Sequence, residues 1–369
     1  MSKAYRMSRP VLKIIVLALV SFLSVHVCLA QEWENPADKY KNAYKAYLDR
    51  TCPVESDNIQ HFVYFSRDRE KIVDHPFLTH PRFAGAQIMY SWKQLEPGMG
   101  NYDFSVVEED LKYLEKHGKK LFVQLQDVTF YPKNKAVPNY LLSSEYDGGV
   151  VEQFSANGEP AGWVAKRWNE NVRERFAQFL LAFGEAFDSK IEGINLQETA
   201  VSIEEDADPS FTEEGYVEAL KANMLALKKA FPNATTMQYA NFVPGEWRPW
   251  DDKGYLSGIY EYGEEIGVGL GSPDLMVTRK AQLNHPLGLM HEGEYSVPLG
   301  IAIQDGNYVG QTGADLDFEE GHKRGAQSRN NIVPLLHAFA RDFLKVNYMF
   351  WVNQEPYFAA DVLPCFASE

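Results

Sequence analysis

The sequence has little cysteine, little positive charge and none of the short motifs that announce a bound cofactor. Three cysteines occur in 369 residues. Lys and Arg number 36 against 51 Asp and Glu, a net charge of −15. That balance argues against nucleic acid or an anionic membrane as partner, because both require clustered cations. Neither G-x-G-x-x-G nor a Walker sequence follows an early strand, which argues against a doubly wound dinucleotide-binding sheet. His285, His291 and His322 lack H-E-x-x-H or any comparable metal spacing. No G-x-S-x-G elbow marks an acyl-transfer serine. The chain is therefore expected to use neither metal nor cofactor. It also lacks internal repeats and low-complexity linkers.

The N-terminus is basic, with Lys3, Arg6, Arg9 and Lys13 and no acid before Glu32. The apolar run Ile14–Val20 continues through Phe22, Leu23 and Val25, and Cys28-Leu29-Ala30 supplies small residues before Gln31. This is the pattern of a secretory signal peptide over residues 1–30, and it predicts a secreted or periplasmic protein. The apolar stretch falls short of the roughly 20 residues that span a bilayer, so no stable membrane insertion is expected after cleavage. An uncleaved anchor and a lipid on Cys28 are the alternatives. Loss of the four cations takes the net charge from −15 to −19.

Residues 31–369 then form one unit with two cysteines, Cys52 and Cys365. In an oxidising compartment such a pair either forms a disulfide or remains as two buried thiols. Along this unit a short apolar run alternates with a helical pattern, which predicts a parallel sheet with helices outside it. Eight runs can be placed: 61–65, 84–90, 121–125, 191–196, 236–242, 275–277, 298–303 and 348–352. A helix capped at Ser105 and stopping at Gly118 follows the second. Others cover about 168–187, 212–229, 254–266 and 328–343, and a helical stretch near 36–49 precedes the first run. Residues 128–167 read as one long loop. Eight strands in one unit of this length predict a single (β/α)8 barrel.

In such a barrel the C-terminal strand ends and the loops after them carry the chemistry. The candidates are Arg67 and Asp68 after strand one, Trp92 after two, and Gln126 and Asp127 after three. Gln197 and Glu198 follow strand four, Asn241 follows five, and Gln304 and Asp305 follow seven. Trp351, Asn353, Gln354 and Glu355 belong to strand eight. Carboxylates, amides and indoles with few cations suit a neutral polyol better than a phosphate or carboxylate. Aromatic residues make up 13% of the chain, and aromatic faces stack on sugar rings.

Trp92-Lys93-Gln94-Leu95-Glu96-Pro97, followed by Gly100-Asn101-Tyr102-Asp103-Phe104, resembles the W-x-x-L-E-P-x-x-G-x-Y-D-F segment after the second strand of clan-A glycoside hydrolases. The resemblance implies a Glu acid/base at the end of strand four, which falls on Glu198, and a Trp on strand eight, which falls on Trp351. It also implies a Glu nucleophile at the end of strand seven, where this chain has Gln304-Asp305. Asp305 is then the candidate second carboxylate, with Glu355 and Asp127 in reserve. Glu96 reads as a hydrogen-bonder of its own loop. Trp92, Asp127, Gln197, Asn241, Gln304, Trp351 and Glu355 would bind the sugar.

The expected function is a secreted glycosidase acting on a poly- or oligosaccharide through Glu198 and a second carboxylate. The missing strand-seven Glu keeps open a non-catalytic sugar-binding barrel, and the fold alone also permits an isomerase or lyase.

Overall fold

The computed structural model describes residues 35–155, 157–204, 207–311 and 332–367. The predicted leader lies outside the described residues. Eight parallel strands close into a barrel. In chain order they are β1 (Gln60–Tyr64), β2 (Phe83–Ser91), β3 (Lys120–Gln126), β7 (Gly193–Leu196), β8 (Thr235–Tyr239), β9 (Gly269–Ser272), β10 (Leu299–Ile303) and β11 (Tyr348–Val352). The seam joins first strand to last, with Gln60 opposite Tyr348 and Tyr64 opposite Val352. The fold is a (β/α)8 barrel. Among the described residues no helix is long and apolar enough to cross a membrane.

Seven strands fall where the apolar runs place them; the sixth does not. Leu275-Met276-Val277 is buried but lies in the loop beyond β9. The strand itself is Gly269-Leu270-Gly271-Ser272, which has no β-branched or aromatic residue to signal it. Its glycines answer to close neighbours. A Cβ on Gly269 would stand 2.7 Å from the Pro298 carbonyl oxygen, and one on Gly271 2.8 Å from that of Gly300.

The helices outside begin and end on local signals. The one-turn α1 (Trp92–Leu95) is capped by the Ser91 hydroxyl. In α2 (Ser105–Lys116) Ser105 is the first helical residue and not the cap, which is Phe104 without a side-chain bond, and the Asp103 side chain accepts from the Ser105 amide. It buries Val107, Leu111 and Leu114, and the chain leaves through Gly118 at φ +67°. α3 (Glu170–Phe187) is capped by Asn169. α4 (Glu213–Ala230) is capped by Thr212, with Glu213 and Glu214 in the first turn and Lys228 and Lys229 in the last. Both charge groups favour the helix dipole. The expected N-terminal helix is two short 3-10 turns, Pro36–Asp38 and Ala43–Tyr47. The expected long loop folds part of itself into an antiparallel sheet of β4 (Val128–Thr129), β5 (Val150–Phe154) and β6 (Pro160–Ala165).

Side chains fill the barrel in layers. Phe62 on β1 meets Phe122 on β3, and Phe122 meets Phe350 on β11, although these strands are not all neighbours. Gly193 faces this layer: a Cβ there would lie 2.5 Å from the Phe122 ring. Above it, Gln87 Nε2 on β2 donates to Asn195 Oδ1 on β7 at 2.9 Å and to Tyr239 Oη on β8 at 3.0 Å.

The N-terminal face is tied shut. Cys52 and Cys365 are disulfide-bonded. The Asp57 carboxylate accepts from the Ile59 amide and from Arg82, His61 and His337. Burial alone would raise this carboxyl, but the hydrogen bonds from His337 and His61 hold it well below its usual range.

The Trp-x-x-Leu-Glu-Pro segment is a structural clasp. Glu96 is fully buried and accepts from Trp92 Nε1 (2.7 Å), the Gly100 amide (2.8 Å) and Arg175 of α3. The loop from β2 is thereby fixed to a neighbouring helix. Glu96→Ala would strand the Arg175 charge, and breaking such a buried pair costs about 3–5 kcal/mol. Urea unfolding of the variant is expected to show a loss of that size.

Candidate active site

Four side chains set the backbone that presents Glu198. Arg167 binds Asp127 bidentately at 2.8 and 2.7 Å, both side chains being buried. Its remaining nitrogen donates to the Glu198 carbonyl (3.2 Å) and to Tyr216 Oη (2.8 Å). Tyr216 in turn donates to the Thr199 carbonyl at 3.0 Å. Above this platform, Asn241 Oδ1 accepts from the Ala200 amide, which leaves Nδ2 to donate to Glu198 Oε2 at 2.6 Å.

Glu198 is half-buried on the wall of a cavity of about 470 Å³. Burial pushes its carboxyl up to about 8. The negative charge of Asp274 adds to the rise, while the Asn241 hydrogen bond and the Arg167 charge oppose it. At neutral pH the group is therefore mostly protonated and able to donate a proton. Asp274 lines the same cavity. Its loop is held by two buried amides. Asn307 Nδ2 donates to Asp274 Oδ1 at 2.8 Å, and its Oδ1 accepts from the Leu275 and Gln304 amides. Gln282 donates to the Asp274 carbonyl at 2.7 Å and accepts from the Met276 amide. Phe130 (50% exposed) and Trp247 (40% exposed) line the cavity as well, the Trp247 ring stacked on Phe242.

Of the residues expected from sequence, Glu198, Asn241 and Gln304 meet in this cavity. Gln197 is buried beside them, its amide nitrogen 3.8 Å from Met89 Sδ. The others lie elsewhere. Asp127 is the buried partner of Arg167 and positions Glu198 instead of facing a ligand. Trp92 is fully buried against Phe176 and Phe179 of α3. Trp351 is fully buried and donates to His61 at the opposite end of the barrel. With Phe350 turned inward, strand alternation sends Trp351 outward. Glu355 is exposed beyond β11. Asp305 is absent from the lining of the Glu198 cavity. Its carboxyl is raised by burial and by Asp68, against the pull of Lys71, which places it towards β1.

Asp274, Phe130 and Trp247 were not among the sequence candidates. The first was hidden by the misplaced sixth strand: with β9 ending at Ser272, Asp274 becomes a strand-end residue.

Asp57, His61 and His337 form the one group of potential metal ligands among the described residues. Trp351 Nε1 donates to His61 Nδ1 at 3.2 Å, so the ring proton sits on Nε2, facing Asp57. A metal on Nε2 would require that proton on Nδ1, against the indole N–H. The cluster therefore fits a hydrogen-bonded hub and not a metal.

No protein family matches the sequence, and no curated protein does. Solved structures share the barrel. A β-amylase catalytic domain from Paenibacillus polymyxa is 9% identical over 81% of this chain and 93% of its own, with a TM-score of 0.49. Xylanase 10B from Thermotoga petrophila RKU-1 is 11% identical over 83% and 86%, at 0.47. A family 39 glycoside hydrolase from Bacteroides cellulosilyticus WH2 is 13% identical over 81% and 57%, also at 0.47. The likeness is one of barrel architecture, and the roles of site residues are argued from this chain alone.

The raised Glu198 carboxyl has a measurable consequence for stability. Between its ordinary value of 4.5 and about 8, the native state binds more protons than the unfolded state, so stability falls as pH rises through that window. Glu198→Gln removes this loss. Its melting temperature is expected to exceed that of the parent at pH 9 by more than at pH 5.

Proposed function

We propose that this protein is an exported glycoside hydrolase in which Glu198 is the general acid and Asp274 the second carboxylate. One observation carries the reading. A carboxyl raised to about 8 shares a cavity, lined also by two exposed aromatic side chains, with a second carboxylate. Two carboxyl groups in different environments are what glycosidic cleavage requires.

Protonated Glu198 would donate to the glycosidic oxygen as the bond to the anomeric carbon breaks. Asn241, already bonded to Glu198 Oε2, would steady the carboxylate that results. Asp274 would then either take a proton from the attacking water or bond to the anomeric carbon; the configuration of the first product, read by NMR, distinguishes these routes. Trp247 and Phe130 would hold sugar rings by stacking. The signal-like N-terminus and the Cys52–Cys365 bond support export to an oxidising compartment. Gln304 at the end of β10 favours the alternative of a sugar-binding barrel without catalysis, and Asp274 on the same cavity is the answer to it.

Hydrolysis of a panel of aryl glycosides and polysaccharides tests the reading. Glu198→Gln and Asp274→Asn are each expected to lower kcat by about 10²–10⁴-fold, while Asp305→Asn stays close to the parent. Full activity in Glu198→Gln would refute the assignment, and sugar binding without turnover in the parent would support the binding protein. The rate should also fall as pH rises through about 8, because the working form of Glu198 is the protonated one; a rate still climbing at pH 9 would contradict that role.

A further inference from the structure

The mouth of the barrel carries a second concavity that bears on the nature of the sugar. Residues at the ends of β1, β2 and β3 and in the loop after β4 enclose a cleft of about 310 Å³. Its lining includes the cations Arg67, Arg69, Lys93, Lys133 and Lys135 and no Asp or Glu. On a chain of net charge −15, that local composition is a reversal of the background.

Arg69 is neutralised by Asp110 and Glu109. Among the described residues Arg67, Lys93, Lys133 and Lys135 have no carboxylate partner. Asp68, the acid next to Arg67, is taken by Lys71. Lys135 lies 3.7 Å above the Trp163 ring, which fixes its position without cancelling its charge. Arg67, Lys93 and Lys133 are exposed. Between these cations the lining is neutral and polar (Ser91, Gln94, Gln126 and Asn134), groups suited to hydroxyls.

The cleft adjoins the cavity of Glu198. One loop separates them, with Phe130 lining the cavity and Lys133 and Lys135 the cleft. Met89, part of the cleft, is touched by Gln197, the residue before Glu198. Cations also line the Glu198 cavity itself, as Arg248 and Arg279.

We infer that the cleft is a subsite for the anionic substituent, a carboxylate or a sulfate ester, of an acidic polysaccharide whose scissile bond lies at Glu198. The inference rests on the hydrolase reading for where the chain is cut, but the recognition stands on the cleft. Lys and Arg form charge-assisted hydrogen bonds with either oxyanion; a neutral sugar offers the four cations hydroxyl acceptors but no opposite charge. Nucleic acid fits less well, since its dense backbone charge would extend past the cleft onto a chain of net charge −15.

Calorimetry on the Glu198→Gln protein provides the test, since under the hydrolase reading this variant would hold a saccharide without cutting it. The probes are an oligogalacturonate, a sulfated oligogalactan, a neutral cello-oligosaccharide of equal length and oligothymidylate. One or both anionic saccharides are expected to bind most tightly and to weaken with added salt, and the preferred one names the substituent. Adding Lys93→Gln and Lys133→Gln, both at exposed positions, should weaken that binding about tenfold or more and leave any neutral binding unchanged. Equal binding of neutral and anionic saccharides, insensitivity to the two substitutions, tighter binding of oligothymidylate or no saccharide binding would each overturn the inference. Failure of the hydrolase reading looks different: glycoside cleavage that survives Glu198→Gln, or no cleavage by the parent, with the anionic preference intact.

Discussion

Eight strands that close on themselves enclose a fixed volume, and here it is divided unequally among them. Phe62, Phe122 and Phe350 take more than an even share, and Gly193 takes almost nothing. Close packing leaves no slack to exchange between these positions. A side chain on Gly193 would press on Phe122, and one on Gly271 on the backbone of the next strand. The register that satisfies this packing also sets which residue of each strand faces the mouth. The composition of the site is thus bound to the composition of the core beneath it.

The two ends of the barrel treat buried charge in opposite ways. At the N-terminal end Asp57 receives hydrogen bonds from two histidines, an arginine and a backbone amide, and stays ionised. At the C-terminal end Arg167 gives two of its nitrogens to Asp127 and only a backbone contact to Glu198. Glu198 keeps one amide donor and a neighbouring carboxylate, and its proton is retained. Identical chemistry, a carboxyl in a protein interior, yields a rivet in one place and a proton donor in the other. The difference is the number of donors that converge on it.

Much of this was legible in the sequence. Seven strands announce themselves by apolar runs, and the strand-end rule led from them to Glu198, Asn241 and Gln304. β9 was not legible, because glycines demanded by tight strand packing read as a turn, and Asp274 was lost with it. Trp92 and Trp351 read as sugar platforms from residue type, strand position and, for Trp351, the resemblance to glycoside hydrolases. Their burial depends on partners distant in sequence, Phe179 and His61, which no local pattern reveals. Asp127 illustrates the same limit: a strand-end carboxylate looks identical in sequence whether it meets solvent or Arg167. In the Trp-x-x-Leu-Glu-Pro segment Glu96 reads as a hydrogen-bonder of its own loop, and it is one; the Arg175 contact that makes the segment a clasp between loop and helix was not legible.

The Cys52–Cys365 bond spans 313 residues and lies at the face opposite the cavity. All eight strands fall inside the covalent ring it closes. A pull applied to residues before 52 and after 365 would pass through two sulfur atoms and leave the strands unloaded. In mechanical terms the barrel is shunted out of the line of force. Tension on a tether attached at either end would reach the active-site mouth only after reduction of that one bond.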